Sequence, residues 1–536
     1  MVVHDRTRLT GGLCAHHDPQ PQGWGSWFEN ELKNIHATCR ALALLRRAQS
    51  MKFPSMSAPL SAPLSPDPAI TRLATTRGLL TLALPLAAGM GVGFLLHFTN
   101  RLFLSWHSPE AVAASLPAGM LAWAVQGFFI MTAGYVGTFA AQHHAAGEDD
   151  EAGAMFWPAL FMGGLACLVS LSLIPFRQVM VSLFGLQDPL VAAGMTELFG
   201  WYLAETGPIV LISAMSGFYA GLGRTRLVFA LSAASCGVSI VLNYWFIFGG
   251  AGIPRLGITG AGLATLGTSL VFLLIWSALF LGRDLRLRFG IWRNRNLDMA
   301  RLRRFCRYAL PRGGSEILEM IAFLVFSAAI TRLPTESVSA SNIAFSLYLL
   351  VLVPMIGLGQ GVAIAVGQCL GAGQQELARQ VGWRAVGIVV PALLIIALLF
   401  IFCSHQFMSI YVAADSNIDP IIVERWAEIL RQGAPVMACL GIAAIGDGLQ
   451  WVFRMVVVGA GDTRWTLVAM VSTAVLSLSI PVWWLLRIAD PALLASWHIS
   501  PLTASYVVFA VYSWLIALIM FLRFRFGPWQ KMSVRQ

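Results

Sequence analysis

Beyond Arg77 the chain consists mainly of long apolar runs separated by short polar or glycine-containing stretches. A helix needs about 20 largely apolar residues to cross a lipid bilayer. Twelve runs meet this length, and they begin near Leu79, Ala113, Ala154, Phe199, Leu227, Ile258, Leu310, Ser341, Val386, Trp426, Leu467 and Leu502. The pattern predicts an all-α integral membrane protein with twelve transmembrane helices.

The composition supports a membrane protein and argues against an enzyme. Hydrophobic residues make up 57% of the 536 residues and charged residues only 12%, whereas a soluble domain carries about 25% charged residues. The eight cysteines form no CxxC pair and do not approach a histidine at metal-ligand spacing, so we expect neither a disulfide framework nor a zinc site. The sequence contains no nucleophile elbow, HExxH motif or P-loop lysine, so we expect no catalytic activity and no cofactor.

The positive charge of the chain follows a membrane topology. The net charge is +10, but the basic residues lie at helix ends and in short loops, so we expect no nucleic-acid partner. If the N-terminus is cytoplasmic, twenty Lys and Arg residues flank the helices on the cytoplasmic side and six flank them on the other side. Cytoplasmic loops are enriched in Lys and Arg, so this count predicts that both termini are cytoplasmic.

Polarity also divides the chain into segments. Residues 1–70 are polar, rich in Pro and Ser, and lack the apolar core of a signal peptide. We interpret them as a disordered N-terminal extension, with a translation start at Met51 or Met56 as an alternative. The remaining segments are helices 1–6 in residues 71–282, an arginine-rich cytoplasmic linker in 283–308, helices 7–12 in 309–526 and a cytoplasmic tail in 527–536.

The two halves of the membrane part repeat each other. Three motifs recur at matching positions: ALP at 83–85 and 309–311, a Gln-containing helix end at 141–147 and 367–373, and a GxGxTR turn at 221–226 and 459–464. Because each half has an even number of helices, both halves enter the membrane from the same side and form a parallel repeat. The repeat predicts two pseudo-symmetric six-helix lobes around a central cavity. Rocking of such lobes gives alternating access, an arrangement that a channel does not need.

Several stretches of the membrane part resemble the multidrug and toxic compound extrusion (MATE) transporters of the MOP exporter superfamily. They are ALPLAAGMGVGFLLHFTNRLFLSW, SLPAGMLAW, the GxGxTR turn, LNYWFIFGGAGIPRLGITGAGLAT, VAIAVGQCLGAG and the run from Asp447 to Asp462, and they extend from about Leu79 to Leu522. The resemblance implies a monomeric secondary transporter of the bacterial inner membrane that exports small organic solutes by Na⁺- or H⁺-coupled antiport. A flippase for a lipid-linked or amphipathic substrate is the alternative, and it calls for several arginines in the cavity. Arg312 and Arg454 are the main candidates for such arginines.

Two carboxylates in the second half are the candidate cation-binding residues. Glu319 lies eight residues after Pro311, and Asp447 lies fifteen residues before Asp462; the resemblance places the cation-binding glutamate and its partner aspartate at these positions. A charge near the bilayer centre is costly, so it needs a structural or functional reason. Two carboxylates there can share one Na⁺ or one proton, which links ion loading to conformation.

Other polar residues of the second half have different expected roles. Glu316 and Arg454 lie on the cytoplasmic side of the two candidate carboxylates, and we expect them to form a structural ion pair. Gln450, one helical turn from both Asp447 and Arg454, is a candidate contact for the cation or the substrate.

The first half departs from the family pattern. Asn100 stands where many relatives place an aspartate. Together with Ser239, Asn243 and Thr265 it predicts a neutral polar cluster that binds substrate or joins helices by hydrogen bonds. A neutral cluster cannot carry a proton cycle, so this interpretation assigns coupling to the second half. His97 lies one turn before Asn100. We expect it to be a structural residue, with a role as proton carrier as the less favoured alternative.

Overall fold

The computed structural model describes residues 68–182, 188–250, 254–296, 298–409, 420–487 and 499–535, all within the unit Leu64–Gln536. The predicted N-terminal extension therefore lies outside the described residues, apart from its last three, which begin the short helix Pro68–Leu73. The described chain is helical and contains no strand.

Twelve helices of the described chain are long and apolar enough to cross a membrane, as predicted. They are α1 (Thr76–His107), α2 (Ala113–Ala145), α3 (Asp149–Ser182), α4 (Pro189–Gly221), α5 (Thr225–Phe248), α6 (Gly257–Phe280), α7 (Met299–Ile330), α8 (Thr335–Gly371), α9 (Gln375–Phe402), α10 (Glu424–Ala460), α11 (Thr463–Leu486) and α12 (Pro501–Phe526).

Most helices begin earlier than the apolar runs alone indicate, most clearly α7 and α9, each by eleven residues. The first residue of α7 is Met299, eleven residues before the predicted start at Leu310, and the Asp298 side chain caps the helix by accepting a 3.0 Å hydrogen bond from the Ala300 amide. The helix thus extends beyond its apolar part, and residues 299–308 of the predicted linker form its basic first turns.

The two predicted lobes are seen in the packing. In the N-lobe (α1–α6), α4 packs against α2, α3 and α6, and α1 packs against α5. In the C-lobe (α7–α12), α10 packs against α8, α9 and α12, and α7 packs against α11. Because each pair has its counterpart six helices further on, the fold confirms the pseudo-symmetric repeat. The helices α4 and α10 are the central ones. In α10, 67% of the residues in its apolar 18-residue stretch are buried, against 22% in the corresponding stretch of the peripheral α5.

The lobes meet at the end of the bundle where α1 begins and α12 ends, which we call the terminal end. Close approach requires glycine here, since a Cβ on Gly361 of α8 would lie 2.4 Å from the Ala83 Cβ of α1. Gln142 donates a 2.9 Å hydrogen bond to the Gly459 carbonyl, and Gln368 donates a 2.8 Å bond to the Gly221 carbonyl. The four residues of these two hydrogen bonds belong to the repeated motifs, which therefore contribute directly to the contact between the lobes.

The acidic segment 148–151 is held by arginines from three other parts of the chain. Asp149 pairs with Arg288 of the linker at 2.8 Å, and Glu151 pairs with Arg301 of α7 at 2.9 Å. Glu148 pairs with Arg535 of the C-terminal tail. The linker and the tail thus bind the N-lobe at the terminal end.

The C-terminal tail is folded against both lobes. The tail contains a short 3₁₀ helix, Pro528–Lys531. The side chains of Trp529 in this helix and of Val534 after it are fully buried. Gln142 of the N-lobe accepts a 3.0 Å hydrogen bond from the Val534 amide, and Arg304 of α7 donates a 2.9 Å bond to the Arg535 carbonyl. The tail therefore occupies the junction between the lobes.

Candidate functional site

Four charged side chains, two buried arginines and two partly buried glutamates, form a cluster between α7 and α10. Arg312, Glu316 and Glu319 recur every three or four residues on α7, so they share one face of that helix. Arg454 of α10 lies against this face. It contacts the Glu316 carboxylate at 3.3 Å and the Glu319 carboxylate at 2.8 Å, while Arg312 contacts Glu316 at 2.9 Å. Two positive and two negative charges balance within this group, which we call the C-lobe ion cluster.

Arg454 is the centre of the C-lobe ion cluster. Its side chain is fully buried, and its guanidinium lies 4.5 Å from the centre of the Trp451 ring, a cation–π contact. A charge in the membrane interior is tolerated when it is paired. The expected Glu316–Arg454 pair is present as a geometric contact, but the contact of Arg454 with Glu319 is the shorter one. Glu319 therefore already has a cationic partner from its own protein.

Asp447 has a different environment from Glu319. It lies two turns before Arg454 on α10 and accepts a short hydrogen bond from the Tyr348 hydroxyl of α8. Among the described residues, no Lys, Arg or His side chain lies within ion-pair distance of it. Glu319 and Asp447 interact electrostatically, but each is bonded to its own partner. Asp447 is thus the carboxylate of this region whose charge is not neutralised.

Gln450 contacts α11 in this structure. Its amide donates a 3.2 Å hydrogen bond to the Met470 sulfur, and its side chain is buried. Four residues after Met470, α11 changes to a π-helical segment, Ala474–Ser479. Such segments are frequent at functional sites because they interrupt the regular hydrogen bonding of the helix.

The predicted polar cluster of the N-lobe is partly satisfied within single helices. The Asn243 amide donates to the Ser239 carbonyl at 2.8 Å and to its hydroxyl at 3.0 Å. Thr265 donates to the Ala261 carbonyl of its own helix at 2.8 Å. The side-chain oxygens of Asn100 and Asn243 are buried and have no hydrogen-bond partner in the described part of the chain.

The N-lobe also contains a buried glutamate on α4, which lies outside the neutral cluster predicted from the sequence. Glu205 is only 6% exposed and accepts a 2.6 Å hydrogen bond from the Ser269 hydroxyl of α6. Glu197, two turns earlier on α4, is similarly bonded to Thr259 of α6. The signal was available in the sequence, since Glu205 interrupts the apolar run after Phe199. The motifs of the MATE resemblance point to the seventh and tenth helices and do not include Glu205.

Two further observations concern candidates outside these groups. The His97 side chain is exposed on α1. The described residues contain no group of three or more His, Cys, Asp or Glu side chains arranged to hold a metal ion.

The site belongs to a chain that matches known transporters over most of its length. A family model described as MatE matches residues 85–245 and 311–485, one segment in each lobe. A probable multidrug resistance protein NorM of Burkholderia pseudomallei is 26% identical over 405 residues, covering 75% of this chain and 83% of the relative. Its counterpart in Pseudomonas putida is 27% identical over 398 residues, covering 73% and 83%.

Solved structures share the fold. A MOP superfamily transporter from Pyrococcus furiosus has a TM-score of 0.73 at 17% identity and covers 86% of this chain and 98% of that one. A MATE protein crystallised in complex with MaL6 has a TM-score of 0.72 at 18% identity, with coverage of 86% and 98%. The arrangement of twelve helices in two lobes is common to them.

Proposed function

The chain belongs to the MatE family, and from this premise we propose that it exports small organic solutes by cation-coupled antiport. The relatives named as multidrug resistance proteins suggest cationic or amphipathic substrates. The proposed cycle alternates access between the two sides of the bacterial inner membrane. No cofactor takes part, since a gradient of Na⁺ or H⁺ supplies the free energy.

The observation that carries this proposal is a half-buried carboxylate, Asp447, that has no cationic partner among the described residues and lies beside a neutral ion cluster. In the C-lobe ion cluster every charge is paired, so a cation that bound Glu319 would displace Arg454 from it. A cation that binds Asp447 instead neutralises a half-buried negative charge within a membrane-spanning helix, which lowers the free energy of the loaded state. We therefore propose that Asp447 receives the coupling ion first and that the charges of Glu319 and Arg454 determine the electrostatic potential around it.

The Asp447 carboxylate also accounts for the exchange of solute for the coupling ion. A cationic solute is attracted to Asp447 for the reason that Na⁺ or H⁺ is, so the two compete for one site. Competition makes the binding of each weaken the other, and this reciprocal coupling drives antiport across an ion gradient. In the outward-open state the ion displaces the solute; in the inward-open state the ion leaves and solute binds again.

The contacts between the lobes support an outward-facing state if the terminal end is cytoplasmic. The excess of Lys and Arg at that end favours this orientation. Gln142, Gln368, Gly361 and the C-terminal tail join the lobes there. Opening to the cytoplasm then requires that these contacts separate.

A flippase of the same superfamily is less well supported. Phosphate recognition needs arginines that are free to bind it. Arg312 and Arg454 are both paired with carboxylates, at 2.9 and 2.8 Å. The geometry therefore favours a solute antiporter.

The test is transport of a fluorescent organic cation in proteoliposomes under an imposed Na⁺ or pH gradient. We expect gradient-driven accumulation that Asp447→Asn abolishes. Glu376→Gln serves as the matched control, since Glu376 is an exposed carboxylate at the start of α9 paired with Arg379 at 3.6 Å. Dye movement independent of both gradients, or full coupling in Asp447→Asn, contradicts the proposal.

A further inference from the structure

We propose that Glu205 is a second cation-binding carboxylate, so that the N-lobe takes up one coupling ion and the C-lobe another. This inference rests on the proposed antiport. The ligand is a monovalent cation, a proton or Na⁺. Glu205 is buried, its hydrogen-bond donor is the Ser269 hydroxyl, and no basic side chain lies within ion-pair distance among the described residues.

The pseudo-symmetry of the fold places Glu205 and Asp447 on equivalent helices. Glu205 lies sixteen residues before Gly221, and Asp447 lies twelve residues before Gly459. The two glycines open the repeated turn, so they mark equivalent positions of α4 and α10. The difference of four residues is about one helical turn, or roughly 6 Å. The two carboxylates therefore lie on corresponding faces of the central helix of each lobe.

The neighbours of the two carboxylates also correspond. Ser269 of α6 bonds Glu205. In the C-lobe, Ser513 of α12 packs beside Gly446, whose Cβ would lie 2.9 Å from the Ser513 backbone. The helices α6 and α12 are equivalent in the repeat. Each lobe thus places a carboxylate of its central helix next to a serine of its last helix.

An unsatisfied oxygen beside Tyr202, one helical turn from Glu205, provides a second, independent observation. Asn100 is 5% exposed, and its side-chain oxygen has no partner in the described chain. Tyr202, one turn from Glu205 on α4, adjoins Asn100 and is influenced by the charge of Glu205. A buried oxygen without a donor is costly, and a cation bound between Asn100 and α4 would satisfy it. A resident cation therefore suits this part of the N-lobe.

The charged and titratable surroundings of Glu205 are few. On α4 itself they are Tyr202 and Glu197. On α1, Arg101 lies close enough to Tyr202 for an electrostatic interaction between the two side chains. On α3, the sulfur of Cys167 lies beside Gly207. The helices α2 and α6 present the neutral Gln126 and Ser269. The carboxylate is therefore the group whose charge changes when this region takes up a cation.

The test measures how many ions are coupled to each solute. In proteoliposomes with the membrane potential clamped, the logarithm of the steady-state dye accumulation is plotted against that of the imposed ion gradient. The slope gives the number of coupled ions. We expect Glu205→Gln to halve the slope and Glu205→Asp to retain it. Glu197→Gln, which alters a hydroxyl-bonded glutamate of the same helix, is the control and is expected to keep the wild-type slope.

Separate Na⁺ and pH gradients identify the cation. An unchanged slope in Glu205→Gln, with accumulation abolished in Asp447→Asn, overturns this inference and leaves the proposed function intact. If both variants retain the full gradient dependence, the proposed function itself is wrong.

Ser269→Ala keeps the inference testable if Glu205→Gln does not fold. This variant retains the carboxylate and removes its hydrogen-bond donor, so the anionic form is less stabilised. We expect an unchanged slope with a lower half-saturating ion concentration. A half-saturating concentration equal to the wild type overturns the inference, because Glu205 then does not bind the ion.

Discussion

Gln142 and Gln368 occupy equivalent positions in the two lobes, and each donates its side-chain amide to a glycine carbonyl of the opposite lobe. The acceptors, Gly459 and Gly221, are themselves equivalent. The repeat thus produces a reciprocal pair of hydrogen bonds at the terminal end. The pair is not fully symmetric, because the Gln142 oxygen also accepts bonds from Ser533 at 3.1 Å and from Val534 at 3.0 Å.

Gln142→Ala is expected to loosen the terminal end more than Gln368→Ala does. Leaving a buried carbonyl without its donor costs about 1–3 kcal/mol, and Gln142 additionally holds the tail. We expect faster hydrogen–deuterium exchange in residues 459–464 and 528–535 of Gln142→Ala. Gln432→Ala is the control, since Gln432 bonds Ser337 within the C-lobe. Equal exchange in the two inter-lobe variants contradicts this account.

The sequence predicted the fold because the fold follows from local patterns. Apolar length identifies a span wherever it occurs, and the ALP and GxGxTR motifs locate the repeat without any knowledge of contacts. The helix starts were less accurate, as at Met299, because amphipathic first turns extend beyond the apolar run.

The pairing of charges could not be predicted in the same way. Spacing placed Glu316 and Glu319 on one helix, but which of them Arg454 contacts more closely depends on the rotation of α7 against α10. The partner of Asp447, Tyr348, lies 99 residues away in the chain. No local pattern connects residues at that separation.

Arg454→Gln is expected to destabilise the protein strongly. It leaves the carboxylates of Glu316 and Glu319 with Arg312 as the only arginine of the C-lobe ion cluster, and breaking a buried ion pair from one side costs about 3–5 kcal/mol. The measurement is thermal stability of the detergent-solubilised protein by fluorescence-detected size-exclusion chromatography. We expect a clear decrease in the melting temperature and in the yield of folded protein.

The double variant Arg454→Gln, Glu319→Gln tests whether charge balance is the cause. It removes one charge of each sign, so we expect it to recover most of the stability lost in Arg454→Gln. Arg454→Lys keeps the charge but cannot offer two nitrogens to two carboxylates as a planar fork, so its stability should be intermediate. If the double variant is no more stable than Arg454→Gln, the packing of the guanidinium on Trp451 matters more than its charge.

The docking of the C-terminal tail is expected to weaken in acid. Partial burial raises the pKa of Glu148, but the hydrogen bonds and charges of Arg535 and His143 lower it more, so the net pKa is below its ordinary value. A carboxylate with a lowered pKa stabilises the docked tail above its ordinary pKa of about 4.3, and this stabilisation is lost as pH falls through the lowered value. Exchange in residues 528–535, corrected for the intrinsic rate, should therefore rise at low pH.

Glu148→Gln is expected to show the same rise at neutral pH, because the amide cannot pair with the Arg535 guanidinium. Glu376→Gln is again the control, since its partner Arg379 lies on the same helix and not in the tail. If tail exchange in Glu148→Gln equals that of the wild type at every pH, the contact of Arg535 with the Gly371 carbonyl, at 3.3 Å, holds the tail instead.

Gly361→Ala is expected to force the terminal end apart. The added Cβ would lie 2.4 Å from the Ala83 Cβ and 2.5 Å from its Cα, so α1 and α8 must separate. Overpacking of this kind costs about 1–3 kcal/mol. It therefore destabilises the closed arrangement of the terminal end, in which α1 and α8 are in contact. The expected result is faster exchange in residues 83–87 together with slower gradient-driven dye transport. Gly387→Ala in α9 is the matched control, because its Cβ would meet nothing within 4 Å; removing a helical glycine there should leave transport unchanged and slightly raise the melting temperature. Equal transport rates in the two variants would show that the lobes do not need this close contact during the cycle.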